Sequence, residues 1–218
     1  MRIACVGYRK WALDIYDKLC ETSNHSFFII RTKKQYNEDA IIDFNPDIVL
    51  YYGWSWIVPK KMTKHYECIM LHPSPLPLYR GGSPIQNQII SGATTSAVTL
   101  LYMEDEVDAG DIIVQEKISL TGSLDDIFDR IIRVGYRLTI ECVIEVENIT
   151  SFPQNNIQAT YCKRRAEHES EITIDELRNE SSIYIYNKIR MLAHPYPNAY
   201  IKTSDGKKII LNNVEIMD

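Results

Sequence analysis

A histidine followed by a stiff loop is the part of this chain best suited to chemistry. His72 ends a short apolar run and is followed by Pro73-Ser-Pro-Leu-Pro-Leu-Tyr-Arg-Gly-Gly-Ser-Pro84. Proline fixes φ and removes an amide donor, and glycine admits unusual backbone angles, so this segment predicts a rigid wall around a ligand. Because imidazole exchanges protons near neutral pH, a histidine held by such a loop is a candidate for proton transfer.

An aspartate later in the chain is a suitable partner for this histidine. Asp108 lies in the turn Val107-Asp-Ala-Gly-Asp111, between two strand-like runs. A carboxylate can hold an imidazole in one tautomer and stabilise its charged form. Taken alone, Asp108 also fits a capped turn, and His72 also fits a structural strand end. The rigid loop after His72 favours the catalytic interpretation, and we predict that these two residues are catalytic.

Cations and aromatic rings stand at other predicted strand ends. Tyr8-Arg9-Lys10 lies in the first strand-to-helix turn, where backbone amides favour anions, and it fits a phosphate-bearing substrate as well as a solvated loop. Arg80, next to two glycines, is predicted to bind an anion. The sequence contains no Gly-x-Gly-x-x-Gly, so a dinucleotide site is not expected. Trp54 and Trp56 follow the third strand, and we expect them to hold a flat ligand.

Short apolar runs separated by helical segments make up residues 1–150. We predict strands at 2–7, 26–31, 48–52, 68–71, 97–103 and 111–118, and helices at 10–21, 37–44, 59–65, 84–90 and 124–146. This alternation is typical of an α/β fold, with a Rossmann-like, mostly parallel sheet flanked by helices. In such folds ligands bind at the carboxyl ends of the strands, which is where His72 stands.

The character of the chain changes near residue 150, where we place a domain boundary. Residues 1–150 are predicted to be the catalytic domain, and residues 151–218 a small α+β C-terminal extension. In the extension we expect a short strand at 159–161, a helix over 175–192 and a hairpin over 199–214. An exposed hairpin offers a surface for a homodimer.

Composition and charge narrow the function classes. The chain has 218 residues, is 45% hydrophobic and 24% charged, and carries a formal net charge of −5, which disfavours non-specific binding to nucleic acid. The five cysteines form no Cys-x-x-Cys pair, which favours a reducing compartment and predicts neither disulfides nor a metal site. No segment resembles a signal peptide or reaches the roughly 18 apolar residues of a membrane span, so we expect a cytoplasmic location and no membrane partner.

Two pairs of segments resemble a known enzyme family. His72-Pro-Ser-Pro-Leu-Pro-x-Tyr-Arg-Gly-Gly-Ser-Pro-Ile-Gln86, with Val107-Asp-Ala-Gly-Asp111, resembles the formyltransferases that use 10-formyltetrahydrofolate. Residues 159–165 and 189–200 are similar to the C-terminal part of the same enzymes. Within the family, the short length and the segment Pro195-Tyr-Pro-Asn-Ala-Tyr200 look most like sugar N-formyltransferases that act on nucleotide-linked amino sugars.

The resemblance implies 10-formyltetrahydrofolate as cosubstrate and no metal. The folate-binding residues it implies are Trp54, Trp56, Ile57, Val58, Glu104, Val107 and Asp108. The substrate-binding residues that we predict are Tyr8, Arg9, Lys10, Pro75, Tyr79, Arg80, Gly82 and Gln86.

Met70 departs from the pattern that the resemblance implies. The family has an asparagine two residues before the histidine, and its side chain donates a hydrogen bond to the developing oxyanion. A thioether cannot donate one. Gln86, Gln88 and protonated His72 are candidates to replace this donor. Met70 is otherwise a core residue of a subfamily variant, or it marks a slow or inactive relative.

The expected reaction transfers a formyl group from 10-formyltetrahydrofolate to the primary amine of a nucleotide-linked deoxyamino sugar. The amine attacks the formyl carbon, His72 stabilises the tetrahedral intermediate, and Asp108 orients and charges His72. Formylation of an aminoacyl group, on a carrier protein or on initiator tRNA, is the alternative enzyme function. Glycinamide ribonucleotide formylation is a more distant one. In a different class, the chain is a relative that binds folate or a nucleotide sugar without turnover.

Overall fold

A six-stranded sheet organises the chain in the computed structural model, which describes residues 1–193 and 196–217. The strands of the first part are β1 (Arg2–Val6), β2 (Ser26–Ile30), β3 (Ile48–Tyr52), β4 (Glu67–His72), the two-residue β5 (Arg80–Gly81), β6 (Thr95–Tyr102) and β7 (Ile112–Ser119). The order in the large sheet is β2-β1-β3-β4-β6-β7. The strands β1 to β4 are parallel, and β6 and β7 add to them in antiparallel pairs. The prediction of a Rossmann-like, mostly parallel sheet is confirmed.

Helices cover both faces of this sheet. They are α1 (Lys10–Thr22), α2 (Glu38–Phe44), α3 (Lys60–His65), α4 (Pro84–Ile90) and α5 (Leu124–Thr139). Along β1, Ile3 and Cys5 pack with α1 and α5, while Ala4 and Val6 pack with α2 and α3. Successive side chains of a strand point to opposite faces, so a continuous apolar run is the pattern that a doubly covered strand requires.

Two predicted helices end earlier than their apolar spacing suggested. The helix predicted over 124–146 is α-helical only to Thr139, and Ile140–Ile144 continues it as a π-helical turn. The helix predicted over 175–192 is two helices, α6 (Ile174–Asn179) and α7 (Ser182–Arg190). The Ser181 hydroxyl accepts from the amide of Tyr184, so a second helix begins where the periodicity predicted continuity.

The residues after 150 are packed into the first part of the chain. The short strand β8 (Tyr161–Cys162) pairs with β5, and β9 (Ala199–Lys202) and β10 (Lys208–Leu211) form the predicted hairpin. Ile172, Ile189 and Leu192 belong to the same core cluster as α1 and α5. The change in composition near residue 150 therefore does not separate two cores.

The cysteines are buried or half-buried. All five are free, and Cys5 and Cys68 are buried. Burial raises the pKa of the Cys68 thiol to about 12. Residues 1–193 and 196–217 hold no cluster of three or more His, Cys, Asp or Glu that could bind a metal ion. Over the same ranges, no helix has the length and apolar character needed to span a membrane.

Candidate active site

A cavity of about 490 Å³ opens at the carboxyl ends of β1, β3 and β4. Its wall includes Arg9 after β1, residues 53–58 after β3, residues 70–73 at the end of β4, residues 81–86 before and within α4, and residues 102–108 between β6 and β7. The carboxyl ends of parallel strands meet at one edge of a sheet, and the loops that follow them surround a common space.

Gly53 lets two of these loops approach each other. It follows β3 with φ of 60°, and a Cβ placed on it would lie 2.8 Å from the Cβ of Arg9. A side chain at position 53 would therefore push the β1–α1 turn away and would strain the backbone. The glycine keeps Arg9 on the cavity wall.

His72 and Asp108 meet at the cavity, as predicted. Nδ1 of His72 lies 3.4 Å from Oδ2 of Asp108, and Nε2 lies 2.9 Å from the carbonyl oxygen of Tyr79. The two residues are 4% and 8% exposed. A neutral ring presents a lone pair to one of these oxygens, whereas an imidazolium donates to both. The arrangement is suited to holding a proton between Nδ1 and Oδ2 beside the cavity.

The aspartate is held in an uncommon backbone conformation. Asp108 has φ of 54°, in the left-handed region. Its Oδ2 accepts from the amide of Gly81 at 2.7 Å, so the glycine of the proline-rich loop fixes the carboxylate that faces His72. This contact joins the two sequence segments that the motif analysis singled out.

The tryptophans after β3 form an aromatic wall. The ring centroids of Trp54 and Trp56 are 4.7 Å apart, and both side chains line the cavity. Residues 53–59 are not a strand, so the alternation that would turn one ring away does not apply. The ring centroids of Tyr36 and Trp54 are 5.0 Å apart, and the hydroxyl oxygen of Tyr8 is 2.7 Å from Ser55 Oγ. The indole nitrogen of Trp54 is buried and has no hydrogen-bond partner among the described residues.

Every residue predicted to bind folate borders this cavity. They are Trp54, Trp56, Ile57, Val58, Glu104, Val107 and Asp108. Their role in binding stays a prediction, since what the structure establishes is their common location.

Another part of the cavity wall combines aromatic rings with two arginines. Phe128 and Tyr196 stack with centroids 6.2 Å apart, and the Arg9 guanidinium lies 5.2 Å from the Tyr196 ring. Arg164 lines the same cavity. Burial raises the pKa of the Tyr196 hydroxyl, and the positive charge of Arg9 partly opposes this. The side-chain nitrogen of Gln86 is buried without a hydrogen-bond partner within 3.5 Å among the described residues, and Gln86 lies close enough to the Tyr196 hydroxyl to lower its pKa.

Arg80 is placed differently from the prediction. Its side chain is fully buried and donates to Gln154 Oε1 at 2.7 Å, to Asn156 Oδ1 at 2.6 Å and to the Tyr161 hydroxyl at 3.1 Å. These protein groups take up its donors and Arg80 does not line the cavity, so its contact with substrate stays a prediction.

Four other predicted substrate residues lie outside the cavity wall, namely Tyr8, Lys10, Pro75 and Tyr79. Lys10 points outward from α1, with its side chain 84% exposed, and pairs with Asp14 at 2.6 Å. Tyr79 contributes its carbonyl to His72, while its hydroxyl lies 3.2 Å from Ser91 Oγ. Of the predicted substrate residues, only Arg9, Gly82 and Gln86 line the cavity.

The site also contains residues that sequence reasoning missed. They are Trp11, Phe128, Arg164 and Tyr196 on the wall, and Gln154 behind Asp108. Arg164 and Tyr196 lie in the two C-terminal segments that carried the resemblance, which was the available signal for them. Phe128 is one apolar position of an amphipathic helix, and nothing in that pattern distinguishes it from a core residue.

Met70 stands on the cavity wall, half-buried against Leu76 and Leu101. Of the candidates to replace its missing donor, Gln88 is committed elsewhere, because its Nε2 donates to the carbonyls of Pro73 and Pro84 at 3.0 and 3.1 Å. Gln86 keeps an uncommitted nitrogen.

Comparison with known proteins agrees with this geometry. The profile of a family described as formyl transferase matches residues 7–143. The chain belongs to the formyl transferase family. This member is 32% identical over 167 residues to the methionyl-tRNA formyltransferase of Orientia tsutsugamushi (strain Boryong), a match that covers 75% of the chain and 53% of that protein. It is 35% identical over 174 residues to the methionyl-tRNA formyltransferase of Lysinibacillus sphaericus (strain C3-41), which covers 76% and 53%. The chain spans about half the length of these curated relatives.

Solved structures of similar fold include formyltransferases and the protein HypX. A methionyl-tRNA formyltransferase from Clostridium thermocellum superposes with a TM-score of 0.84 at 28% identity, covering 100% of this chain and 99% of that one. HypX from Aquifex aeolicus in complex with tetrahydrofolic acid superposes with a TM-score of 0.80 at 20% identity, and the match covers 98% of this chain and 37% of HypX. A 4-N formyltransferase from Francisella tularensis superposes with a TM-score of 0.77 at 19% identity, and the match covers 100% of this chain and 98% of that one. At these identities the last two show a shared fold.

Proposed function

We propose that this formyl transferase family member moves the formyl group of 10-formyltetrahydrofolate to a primary amine. The observation that carries the proposal is the His72–Asp108 pair, 3.4 Å apart on the wall of a cavity that Trp54 and Trp56 also line. The family assignment and the curated relatives' names support the same chemistry.

The folate ring is proposed to lie between the tryptophan segment and residues 104–107. The aromatic side chains provide flat apolar contact, and the Trp54 indole N–H is a free donor. Tetrahydrofolate is present in a neighbour of the same fold, HypX, which supports a folate site of this kind.

The proposed reaction depends on the His72–Asp108 pair. The neutral amine attacks the formyl carbon, a C–N bond forms, and the tetrahedral intermediate then breaks its bond to N10 of the folate. The proton lost by the amine passes to the His72–Asp108 pair, and N10 takes one up. Binding both substrates in one cavity supplies rate by proximity. Protonated His72, whose two N–H groups face Tyr79 and Asp108, stabilises the oxyanion by its positive charge.

The acceptor is proposed to be a nucleotide-linked deoxyamino sugar. Two cavity arginines, Arg9 and Arg164, suit phosphates, and the Phe128–Tyr196 pair suits a flat base. The net charge of −5 favours a small anionic acceptor held in a local cationic site over a long nucleic acid.

Formylation of an aminoacyl group is the second candidate. The specific observation that favours it is the identity of the sequence relatives, which are named methionyl-tRNA formyltransferases. A carrier-bound aminoacyl group would use the same amine chemistry. A cytoplasmic location and a homodimer through the β9–β10 hairpin stay predictions.

An acceptor panel tests the function. The purified chain is incubated with 10-formyltetrahydrofolate and with nucleotide-linked amino sugars, methionyl-tRNA or an aminoacyl carrier protein, and the release of tetrahydrofolate and the formylated product are measured. His72→Ala is expected to lower kcat by roughly 10²- to 10⁴-fold, the usual contribution of a general acid–base group.

His168→Ala is the matched control, because that histidine is exposed and its ring makes no hydrogen bond among the described residues. Full activity of His72→Ala would remove the catalytic assignment. Tetrahydrofolate binding without transfer to any acceptor of the panel would favour a binding protein without turnover.

A further inference from the structure

We propose that Gln154, held in place by Arg80, is a positioning residue for Asp108, so that the segment after residue 150 completes the candidate active site. The inference rests on the proposed formyl transfer. Gln154 does not line the cavity, and it acts through the aspartate.

Asp108 needs support from its surroundings. Its left-handed backbone, with φ of 54°, is one that a non-glycine residue keeps only where neighbouring contacts enforce it. The turn around it offers little packing of its own, since Val107 is 60% exposed. The position of the carboxylate relative to His72 therefore depends on contacts from outside the turn.

Gln154 supplies two such contacts to the backbone of the turn. Its side-chain nitrogen donates to the carbonyl of Asp108 at 2.9 Å and to the carbonyl of Gly110 at 2.7 Å. Both amide hydrogens are thus used, one at the catalytic residue and one two positions later. The Gln154 side chain thus clamps the turn at two backbone carbonyls, and the conformation of this turn sets the direction of the Asp108 carboxylate.

Arg80 fixes which way the Gln154 amide points. Its guanidinium donates to Gln154 Oε1 from Nε at 3.2 Å and from a terminal nitrogen at 2.7 Å. A cation can bond only to the oxygen of the amide, so the nitrogen must face the two carbonyls. The buried arginine that sequence analysis assigned to substrate therefore orients the clamp.

The strand β5, which consists of Arg80 and Gly81, also contacts the side chain of Asp108. Gly81, next to Arg80, donates its amide to Asp108 Oδ2, and β5 pairs with β8 from the tail. Phe152 and Ile112 exchange two backbone hydrogen bonds of 2.9 Å, which anchor the chain just before Gln154. Backbone and side chain of Asp108 are thus held by one connected set of groups.

The test compares two variants of Gln154 with a control on the same segment. Gln154→Ala removes both contacts, and Gln154→Glu keeps the acceptor for Arg80 but loses the donor to the carbonyls. Because a misplacement of about 1 Å can cost roughly 100-fold in rate, both are expected to lower kcat by about 10- to 100-fold. KM for the amine acceptor is expected to stay within about twofold, because the arginines proposed to hold it, Arg9 and Arg164, lie outside the turn that Gln154 clamps. Gln158→Ala, at an exposed glutamine, is expected to behave as the unmodified protein.

A double-mutant cycle separates positioning from general damage. Adding Gln154→Ala to Asp108→Asn is expected to cost no further kcat, because the group that Gln154 positions has already lost its charge. Two losses that multiply would show that Gln154 acts independently of Asp108 and would overturn the proposal, as would an unchanged kcat in Gln154→Glu with the fold intact.

Amide hydrogen exchange gives a readout that does not depend on turnover. Peptides covering residues 103–111 are expected to exchange faster in both Gln154 variants than in the Gln158→Ala control. If the unmodified protein transfers no formyl group, the proposed function fails while this measurement still decides the clamp. Unchanged exchange in that turn would refute the clamp even with formyl transfer intact.

Discussion

His72 and Met70 show how closely the chemistry depends on single side chains. Both belong to β4, two positions apart, so both side chains point to the same face of the strand. One carries the imidazole that meets Asp108, and the other presents a thioether where the family pattern has an amide donor. Two donors on the cavity wall, the Gln86 side-chain nitrogen and the Trp54 indole nitrogen, have no hydrogen-bond partner among the described residues.

Restoring an amide at position 70 is expected to speed the reaction. Met70→Asn places a donor beside the forming oxyanion, and we expect kcat to rise by about 10-fold, less than the full 10²- to 10³-fold worth of an optimised donor. The measurement is kcat per folded molecule, because Met70 also packs against Leu76.

Met70→Leu is the control, since it keeps apolar volume and adds no donor. An Asn variant no faster than the Leu variant would mean that another group already fills the role. In that case Gln86→Ala is expected to lose activity.

At the scale of elements, α5 links the stability of the fold to the site. It packs beside α1 on one face of the sheet and brings Phe128 to the cavity. Its start is well defined: the Ser123 hydroxyl accepts from the amide of Asp126, and the Asp126 carboxylate accepts from the amide of Ser123. This reciprocal pair satisfies amides that the first turn otherwise leaves unpaired.

Removing that cap is expected to cost stability and not catalysis. Ser123→Ala should lower the free energy of unfolding by about 1 kcal/mol, the typical loss for a capping serine. Urea denaturation followed by circular dichroism measures it. Ser182→Ala, at a serine that begins α7 without capping it, is expected to stay within about 0.5 kcal/mol. Equal losses in both variants would show that the capping contact is not the cause.

Sequence periodicity predicted the elements better than their ends. The apolar runs of β1 and β3 could only be buried strands, and they are. The helix predicted through residue 192 was wrong at Ser181, because apolar spacing continued across a serine that caps a new helix. Local capping decided that boundary, and capping serines and solvent-facing serines look alike in a sequence.

Over the whole molecule, the C-terminal part is tied in by a largely buried ion pair. Lys188 in α7 lies 2.5 Å from Glu176 in α6, with side chains 5% and 22% exposed. Burial on its own raises the pKa of Glu176, but the hydrogen bond from Lys188 and that from the Thr173 amide outweigh it, and the net pKa is lowered. The pair joins two helices of a tail that shares its core with the first part of the chain.

The contribution of Glu176 to the free energy of unfolding is expected to depend on pH. Because its folded pKa lies below the unfolded value of about 4.3, the stabilisation is present above that value and is lost as pH falls through the folded pKa. Glu176→Gln should therefore be less stable than the unmodified protein at pH 7, by about 1.5–3 kcal/mol for a lost charged hydrogen bond, and the gap should shrink in acid.

Urea unfolding at a series of pH values between neutral and about 3 measures this difference. Asp175→Asn, on the same helix and without a cation contact in the described part of the chain, is expected to show no such dependence. If the difference in free energy of unfolding between Glu176→Gln and the unmodified protein stayed constant with pH, the lowered pKa of Glu176 would not be its cause.

Residue types and their order determined the α/β fold, the candidate catalytic pair and the loop that holds it. Those predictions depend on local features: apolar periodicity, proline and glycine in a loop, and acidic residues in a turn. The position of the Arg80 side chain depended on residues remote in sequence. A guanidinium beside two glycines is suited to binding an anion, but in the fold Gln154 and Asn156 accept its hydrogen bonds. Tertiary structure alone decided that Gln154 reaches Asp108, since a polar residue next to a proline carries no sign of the turn it meets across the fold.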